Sequence, residues 1–389
     1  MQIASLLLVK ICKNFFLHPK NLLTLKIKSI YYGSMIPLIK PTIVRKDLEY
    51  VLNCLITERL EEGELAREFE KSVANFVGAK DAVATNSFTS AMHLALLALD
   101  IKPDDEIIIS AYADLPVINA ISYTGAKPVP IDIEPDTFNI DAEKVKKKIT
   151  EKTKAVIVSN KFGIPSDIDE FLSLPISVIE DCSYALGAEY NSSVKEKFAK
   201  IGSFGLLSVF SFDTDTIITT GNGGMIVSNS RDIITKAKKH KFNPFKVPEN
   251  YKVQYDYRMQ DVTAALGLSQ MKLINKFIAR RIELANYYNQ RFMKSKYKIY
   301  REDSDKKSVY SKYTLLVDGS LKKTIETLRR HKIMAKRPIE MPALLSLNLN
   351  EEEYPNTAHA YHKLMEIPIY PSLKKKEIES IADNVLKVL

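Results

Sequence analysis

The sequence predicts an α/β fold, with a mainly parallel sheet in a large domain and a smaller α+β unit toward the C-terminus. Three observations predict it. Short apolar runs alternate with helix-patterned stretches from about residue 81 to residue 228, as successive βαβ units do. Near residues 250–260 that rhythm gives way to a long amphipathic stretch and then to mixed short elements. The length of 389 residues suits two domains better than one.

The elements follow in order. Residues 63–78 place Leu65, Phe69, Val73 and Phe76 on one helical face. A strand is predicted at Asp81–Thr85 and a helix from about Thr89 to Leu99. Strands then fall at Glu106–Ser110, Pro128–Ile131, Ala155–Ser159 and Ser177–Glu180, separated by helices near 114–124, 141–148 and 167–172. Strands near Leu206–Phe212 and Gly224–Ser228 flank a loop rich in Asp, Thr and Gly. One long helix is expected from Asp261 to Met293. Beyond it come a strand at Tyr313–Val317, a helix at 321–331, a strand at 333–337 and a final helix at 374–388. The expected division is an extension over 1–34, a large domain over 35–255, and the long helix with the small domain over 256–389.

Composition narrows the function classes. Hydrophobic residues make up 46% and charged residues 26%, ordinary usage for a soluble globular chain. Cys12, Cys54 and Cys182 form no pairing or zinc pattern, which favours a reducing, cytoplasmic setting. The net charge of +9 is uneven, because Lys10, Lys13, Lys20, Lys26 and Lys28 put +5 into residues 1–34 and leave +4 for the rest. No basic stripe with interleaved aromatics points to nucleic acid. The apolar run Ile3–Val9 is too short to span a bilayer and makes a poor signal peptide. Met35 reads as the start of the folded part; a membrane-surface amphipathic anchor over 1–34 is the alternative. No metal-ligand constellation is visible.

Several stretches, in this order and spacing, carry a resemblance. They are HLALLALDIKPDDEIII, ISYTGAKPVPIDIEPDTFNID, IEDCSYALGAEY, IGSFG, the loop ending in GNGGMIVSN, YDYRMQDVTAALGLSQ, and IPIYPSL. With them the chain resembles the DegT/StrS family of sugar aminotransferases over about residues 36–389. The resemblance implies a fold-type I pyridoxal-phosphate architecture, a homodimer, and a place in nucleotide-sugar and surface-polysaccharide biosynthesis.

It also implies site residues. Asp181, at the end of a strand, matches the aspartate that pairs with the pyridine nitrogen of pyridoxal phosphate (PLP). Its plainer reading is a helix or turn cap. Thr89, at a helix start, matches a phosphate contact, and equally suits an N-cap. Ser211 matches a phosphate-binding serine, or is a buried strand hydroxyl.

The departures from the family pattern cluster at this site. Thr216 stands five residues after Ser211, where the family places its Schiff-base lysine, and a hydroxyl cannot form an imine. Asp114 replaces the aromatic that stacks on the ring, and Tyr184 replaces a glutamine or histidine at the cofactor hydroxyl. Phe88 replaces the glycine of the phosphate turn, where a side chain blocks close approach and resists positive φ. Asp256 replaces an asparagine that reaches the phosphate across the dimer interface, and Asn222 replaces an acid. Asp213 and Asp215 add further negative charge. A new carboxylate ~5 Å from the phosphate, at an effective dielectric of ~20, would repel it by roughly 3 kcal/mol. Lys161 follows a strand and reads as an exposed loop lysine or as a group aimed at the cleft.

The resulting expectation is a family member without standard lysine-based transamination, in which PLP binding is weak or lost. Such a chain would act as a regulatory or scaffolding subunit, as a homodimer or beside an active paralogue, with a nucleotide-sugar ligand. The alternatives are a PLP-dependent nucleotide-sugar aminotransferase acting on a keto-deoxysugar, and a sugar dehydratase using the amine form of the cofactor without the lysine.

Overall fold

A computed structural model describes residues 35–58, 60–242, 253–295, 297–300 and 302–388. The readings of residues 1–34 lie outside the described residues. Helices α1 (Arg45–Ile56) and α2 (Glu64–Val77) lead into β1 (Asp81–Thr85), α3 (Phe88–Ala98), β2 (Glu106–Ser110), α4 (Leu115–Thr124) and β3 (Lys127–Ile131). Then come α5 (Ala142–Lys146), β4 (Thr153–Ser159), α6 (Ile168–Leu172) and β5 (Ser177–Asp181). A hairpin, β6 (Glu189–Ser192) and β7 (Lys197–Lys200), precedes β8 (Leu207–Ser211), β9 (Gly224–Ser228) and α7 (Arg231–His240).

Among the described residues these strands form a seven-stranded sheet in the order β1-β9-β8-β5-β4-β2-β3. Pairs β2·β3, β2·β4, β4·β5 and β5·β8 are parallel; β9 alone runs against its neighbours β1 and β8. The expected α/β class with a mainly parallel sheet is the one found. Apolar layers cover both faces, as a parallel sheet requires. Phe69, Phe210 and Phe212 anchor one layer. Met92, Ile109, Ile118 and Ile226 belong to the other.

Helix α8 (Asp261–Met271) packs on α1 and α2. Gly267 makes that approach possible, since a Cβ there would stand 2.6 Å from the Phe69 ring. Helix α9 (Ile274–Phe292) then leads to a second sheet of three strands, β10 (Lys298–Ile299), β12 (Tyr313–Leu316) and β13 (Leu364–Ile367). The short β11 (Lys306–Lys307) pairs with β6 instead. Helices α10 (Leu321–Arg330), α11 (Ala343–Ser346), α12 (Pro355–Lys363) and α13 (Lys375–Lys387) complete the chain.

Two expected elements differ. The single helix over 261–293 is two helices, because Leu273 leaves helical geometry in a tight turn closed by its N–H to the Gln270 carbonyl at 2.9 Å. Neither Gly nor Pro marks that break, so the periodicity ran across it. The strand over 333–337 is an extended segment held by isolated bridges, Ile36↔Ile333 and Lys336↔Glu366, and Pro338 brings no N–H to continue a ladder.

Two buried carboxylates lock the helical layer. Asp261 accepts hydrogen bonds from the N–H groups of Gly63 at 2.8 Å, Ala66 at 2.9 Å and Leu65 at 3.2 Å, capping α2 from a distant segment. Asp47 accepts from Ser269 Oγ at 2.6 Å and Gln270 Nε2 at 2.7 Å, tying α1 to α8. Replacing Asp261 with alanine strands three N–H donors. Asp261→Ala is therefore expected to lower the unfolding free energy by about 2–4 kcal/mol in urea titrations. A loss under ~0.5 kcal/mol would remove the cap from this account.

Candidate active site at the carboxyl edge of the sheet

Doubly wound sheets gather ligand groups beyond the carboxyl ends of their parallel strands. Here β1 leads to Ser87, β2 to Tyr112 and Asp114, β4 to Lys161, β5 to Asp181 and Tyr184, and β8 to Ser211 and the loop that holds Thr216. The sheet order therefore brings Asp114, Lys161, Asp181, Tyr184 and the 213–216 loop into one neighbourhood.

The first turn of α3 is capped from within. Ser87 is the N-cap, its Oγ accepting the Ser90 N–H at 3.1 Å, while Ser90 Oγ donates to Asn86 Oδ1 at 2.7 Å. Thr89 lies inside the turn and is half-buried. The expected strain at Phe88 is absent: the residue is helical and its ring joins an apolar layer. Gly224 passes so close that a Cβ there would stand 2.3 Å from the Ser87 carbonyl. Ser211 ends β8 buried, its Oγ 3.4 Å from the Asp213 N–H.

Thr216 is buried. Its hydroxyl bonds carbonyls of its own loop, at 2.6 Å to Ile218 and 2.9 Å to Asp213. It closes the turn, and the residue lines a small cavity with Asp215, Arg281 and Glu366.

Two lysines enter the neighbourhood from other segments. Lys161 is 1% exposed, and its Nζ lies 2.6 Å from Asp114 Oδ2. Asp181, also buried, accepts the Ser183 N–H at 3.1 Å and sits 3.5 Å from Ser159 Oγ. Burial raises its pKa, and Lys161 is close enough to offset part of that rise. Lys312, at the edge of β12, reaches Asp215 Oδ2 at 2.9 Å and Glu366 Oε2 at 3.5 Å, with Nζ 4.7 Å from the centre of the Tyr184 ring. Burial alone would lower its pKa, but Glu366, Tyr184 and Asp215 outweigh it and hold the ammonium well above its usual range. The Tyr112 hydroxyl lies among these charges, buried and without a hydrogen-bond partner.

These pairings correct the electrostatic expectation. The carboxylates are not left unpaired to repel an anion. Asp114 carries Lys161 and Asp215 carries Lys312. Asp256 is exposed and takes a two-pronged bond from Arg258, at 2.7 and 3.1 Å, which lowers its pKa. Asp213 is exposed and accepts its neighbour's N–H at 2.6 Å. Lys161 is not an exposed loop lysine. Asp256 and Asn222 line a separate cleft with Asn86, Thr220 and Arg258, beside the start of α3.

Lys312, Glu366 and Tyr112 escaped the sequence reading. Glu366 carried a faint signal, as a lone carboxylate inside the apolar run LMEIPIY. His93 packs among Tyr123, Tyr255 and Tyr257, where burial, then His240, lowers its pKa to about 4. No group of three metal-ligating side chains occurs among the described residues, and none of their helices is long and apolar enough to cross a membrane.

Residues 41–386 match the model of the DegT/DnrJ/EryC1/StrS aminotransferase family. GDP-perosamine synthase of Escherichia coli O157:H7 is 31% identical over 363 residues, covering 90% of this chain and 97% of that protein. Among solved structures, the aminotransferase PseC of Helicobacter pylori, involved in pseudoaminic acid biosynthesis, superposes with a TM-score of 0.82 at 27% identity, over 91% of this chain and 99% of that one. The PMP form of the putative sugar aminotransferase Spr1654 of Streptococcus pneumoniae shares the fold, with a TM-score of 0.83 at 24% identity, over 91% and 98%.

Removing the Lys312 cation takes the lysine partner from buried Glu366 and half-buried Asp215. Lys312→Met is expected to cost about 3–5 kcal/mol near neutral pH. Burial already raises Glu366 above its usual 4.5, and loss of the cation raises it further. The folded variant then holds a proton that the unfolded chain releases, so its deficit grows as pH rises above about 5 and shrinks on acidification. Urea titrations of both proteins at two pH values check this; equal deficits at both would show that charge is not the cause.

Proposed function

This chain belongs to the DegT/DnrJ/EryC1/StrS aminotransferase family, and on that premise we propose that it serves nucleotide-sugar and surface-polysaccharide biosynthesis without lysine-based transamination. Its relatives by sequence are nucleotide-sugar aminotransferases, and the family's cofactor is PLP. The observation that carries the reading is Thr216. At the loop position five residues after Ser211 stands a hydroxyl that is already bonded to Asp213 and Ile218.

The residues present do not fit the cofactor. The loop offers no amine at 216. Beside position 114, where the family has a stacked ring, the Lys161 ammonium lies 2.6 Å from the Asp114 carboxylate. At the phosphate end, the Ser90 N–H is taken by Ser87. No step through the cofactor is therefore assigned. The role that remains is regulatory or scaffolding, in the cytoplasm, with a nucleotide-sugar ligand. The chain would act as a homodimer or beside an active paralogue. The exposed apolar face of α1, with Leu48, Leu52 and Leu55, suits such a second subunit. The division near residue 255 into a large α/β and a small α+β domain belongs to the same reading.

One observation favours a second reading, an aminotransferase with a relocated amine: Lys312 brings a primary amine to the residue beside Thr216. Against it, an ammonium held by two carboxylates is a poor nucleophile, because the attacking form is the neutral amine. A dehydratase needs a base at the site, and the described histidines lie elsewhere: His93 in its aromatic cage, His240 at the end of α7, His331 just after α10, and His359 and His362 on α12.

Borohydride reduction of the purified protein with PLP, followed by peptide mapping, separates these readings. No pyridoxyl-lysine is expected, and Thr216→Lys alone is expected not to create a cofactor band near 400 nm. A pyridoxyl group on Lys312, or amino transfer from glutamate to a ketosugar, would overturn the proposal.

A further inference from the structure

We propose that Lys161 stands in for the cofactor ring: its ammonium, paired with Asp114 and set near Asp181, is a cation that the pocket carries from within the chain, without a ligand. The inference rests on the reading of a family member that has given up lysine-based transamination, and it assigns the residue that replaced the lost group.

The placement follows from sheet order. Strand β4 lies between β2 and β5, so the residue just beyond β4 emerges between those just beyond its neighbours. Asp114 comes from the β2 side, Asp181 from β5, and Lys161 rises between them. Its Nζ binds Asp114 Oδ2 at 2.6 Å, and it offsets the burial that pushes Asp181 up. The neutral donors near the Asp181 carboxylate, the Ser183 N–H and Ser159 Oγ, are weaker than a cation. A buried carboxylate without a cation is costly, and Lys161 is the cation at hand.

The backbone holds this side chain in place. The Lys161 N–H donates to Asn139 Oδ1 at 2.7 Å. The next two residues both adopt left-handed geometry, Phe162 at φ 59° and Gly163 at φ 88°. For a phenylalanine that geometry is unfavourable and persists only where surroundings enforce it. They do so here. The Phe162 ring packs edge-on against Tyr112 and Phe138, and a Cβ on Gly163 would stand 2.8 Å from Val309. Such a turn fixes the direction of Lys161, as a solvated loop lysine would not require.

The paired residues share one neighbourhood. Tyr184, whose ring centre is 4.7 Å from Lys312 Nζ, feels Asp114 as well as Lys312, Asp215 and Glu366. Lys161 pairs with Asp114 and Lys312 with Asp215 and Glu366, and the buried Arg281 guanidinium feels Asp215 and Glu366 as well. The Tyr112 hydroxyl and Arg281 Nε are buried without a hydrogen-bond partner.

The test is chemical rescue of the full-length protein. Lys161→Ala is expected to melt about 5–15 °C below wild type. Propylammonium, which fits the space left by the truncated side chain, is expected to restore part of that loss in the variant, while propanol restores none. Neither is expected to raise the melting temperature of wild type, nor is pyridoxamine phosphate. Met92→Ala, which leaves an apolar hole and no orphaned carboxylate, serves as the control and is expected not to respond to the amine.

A Lys161→Ala protein that melts with wild type, one that responds equally to amine and alcohol, or a wild type stabilised by pyridoxamine phosphate would overturn the inference. If Lys161→Ala does not accumulate, the pair Lys161→Met and Asp114→Asn/Lys161→Met carries the test. The double variant is expected to melt above the single one, because it removes the orphaned charge as well; melting at or below it overturns the inference. The outcomes separate the two proposals. A pyridoxyl-lysine adduct defeats the absence of lysine-based transamination, whereas an adduct-free protein whose Lys161→Ala variant ignores propylammonium defeats only the role of Lys161.

Discussion

Buried carboxylates at one end of a parallel sheet must be matched by positive charge, and the arrangement of this molecule's site follows from that requirement. Asp114, Asp181, Asp215 and Glu366 are drawn together by strand order and by the fold of the small sheet against the large one. Asp181 and Glu366 are buried and Asp114 and Asp215 half-buried, and a buried carboxylate stripped of its cation costs about 3–5 kcal/mol. Lys161 and Lys312 meet the demand from within the chain. The aromatic groups around them, Tyr112, Phe162 and Tyr184, exclude water and so strengthen each pairing.

The fold was largely legible in the sequence because it is written in local signals. The βαβ rhythm located most strands of the large sheet to within a residue or two, and the turn residues around 221–224 marked the loop after β8. Boundaries lost where no local signal exists are instructive. The break between α8 and α9 has an ordinary Leu at its centre. The hairpin β6–β7 is short, charged and largely solvent-facing, so it lacks the alternation that announces a strand. Helix α12 begins at Pro355, a start signal that went unread beside the acidic run before it.

The site was legible in its positions and illegible in its charges. Ser87, Asp181, Ser211 and Thr216 fall where strand ends put them, and a sequence shows strand ends. Which cation meets which anion depends on tertiary neighbours far apart in the chain: Lys161 is 47 residues from Asp114, and Lys312 is 97 from Asp215. A count of acids in a loop therefore predicted repulsion where the folded chain has neutral pairs. Replacement of one residue type by another at a family position is thus weak grounds for an electrostatic argument until its new neighbours are known.

The Lys312 cluster also has a mechanical side. Its lysine and Glu366 come from neighbouring strands of the small sheet, while Asp215 belongs to the loop of the large one. The bond is therefore a latch between the two halves of the molecule. Prising them apart would admit water to three charges at once. A charge cluster shared in this way makes the fit of one sheet against the other depend on a few side chains at their junction.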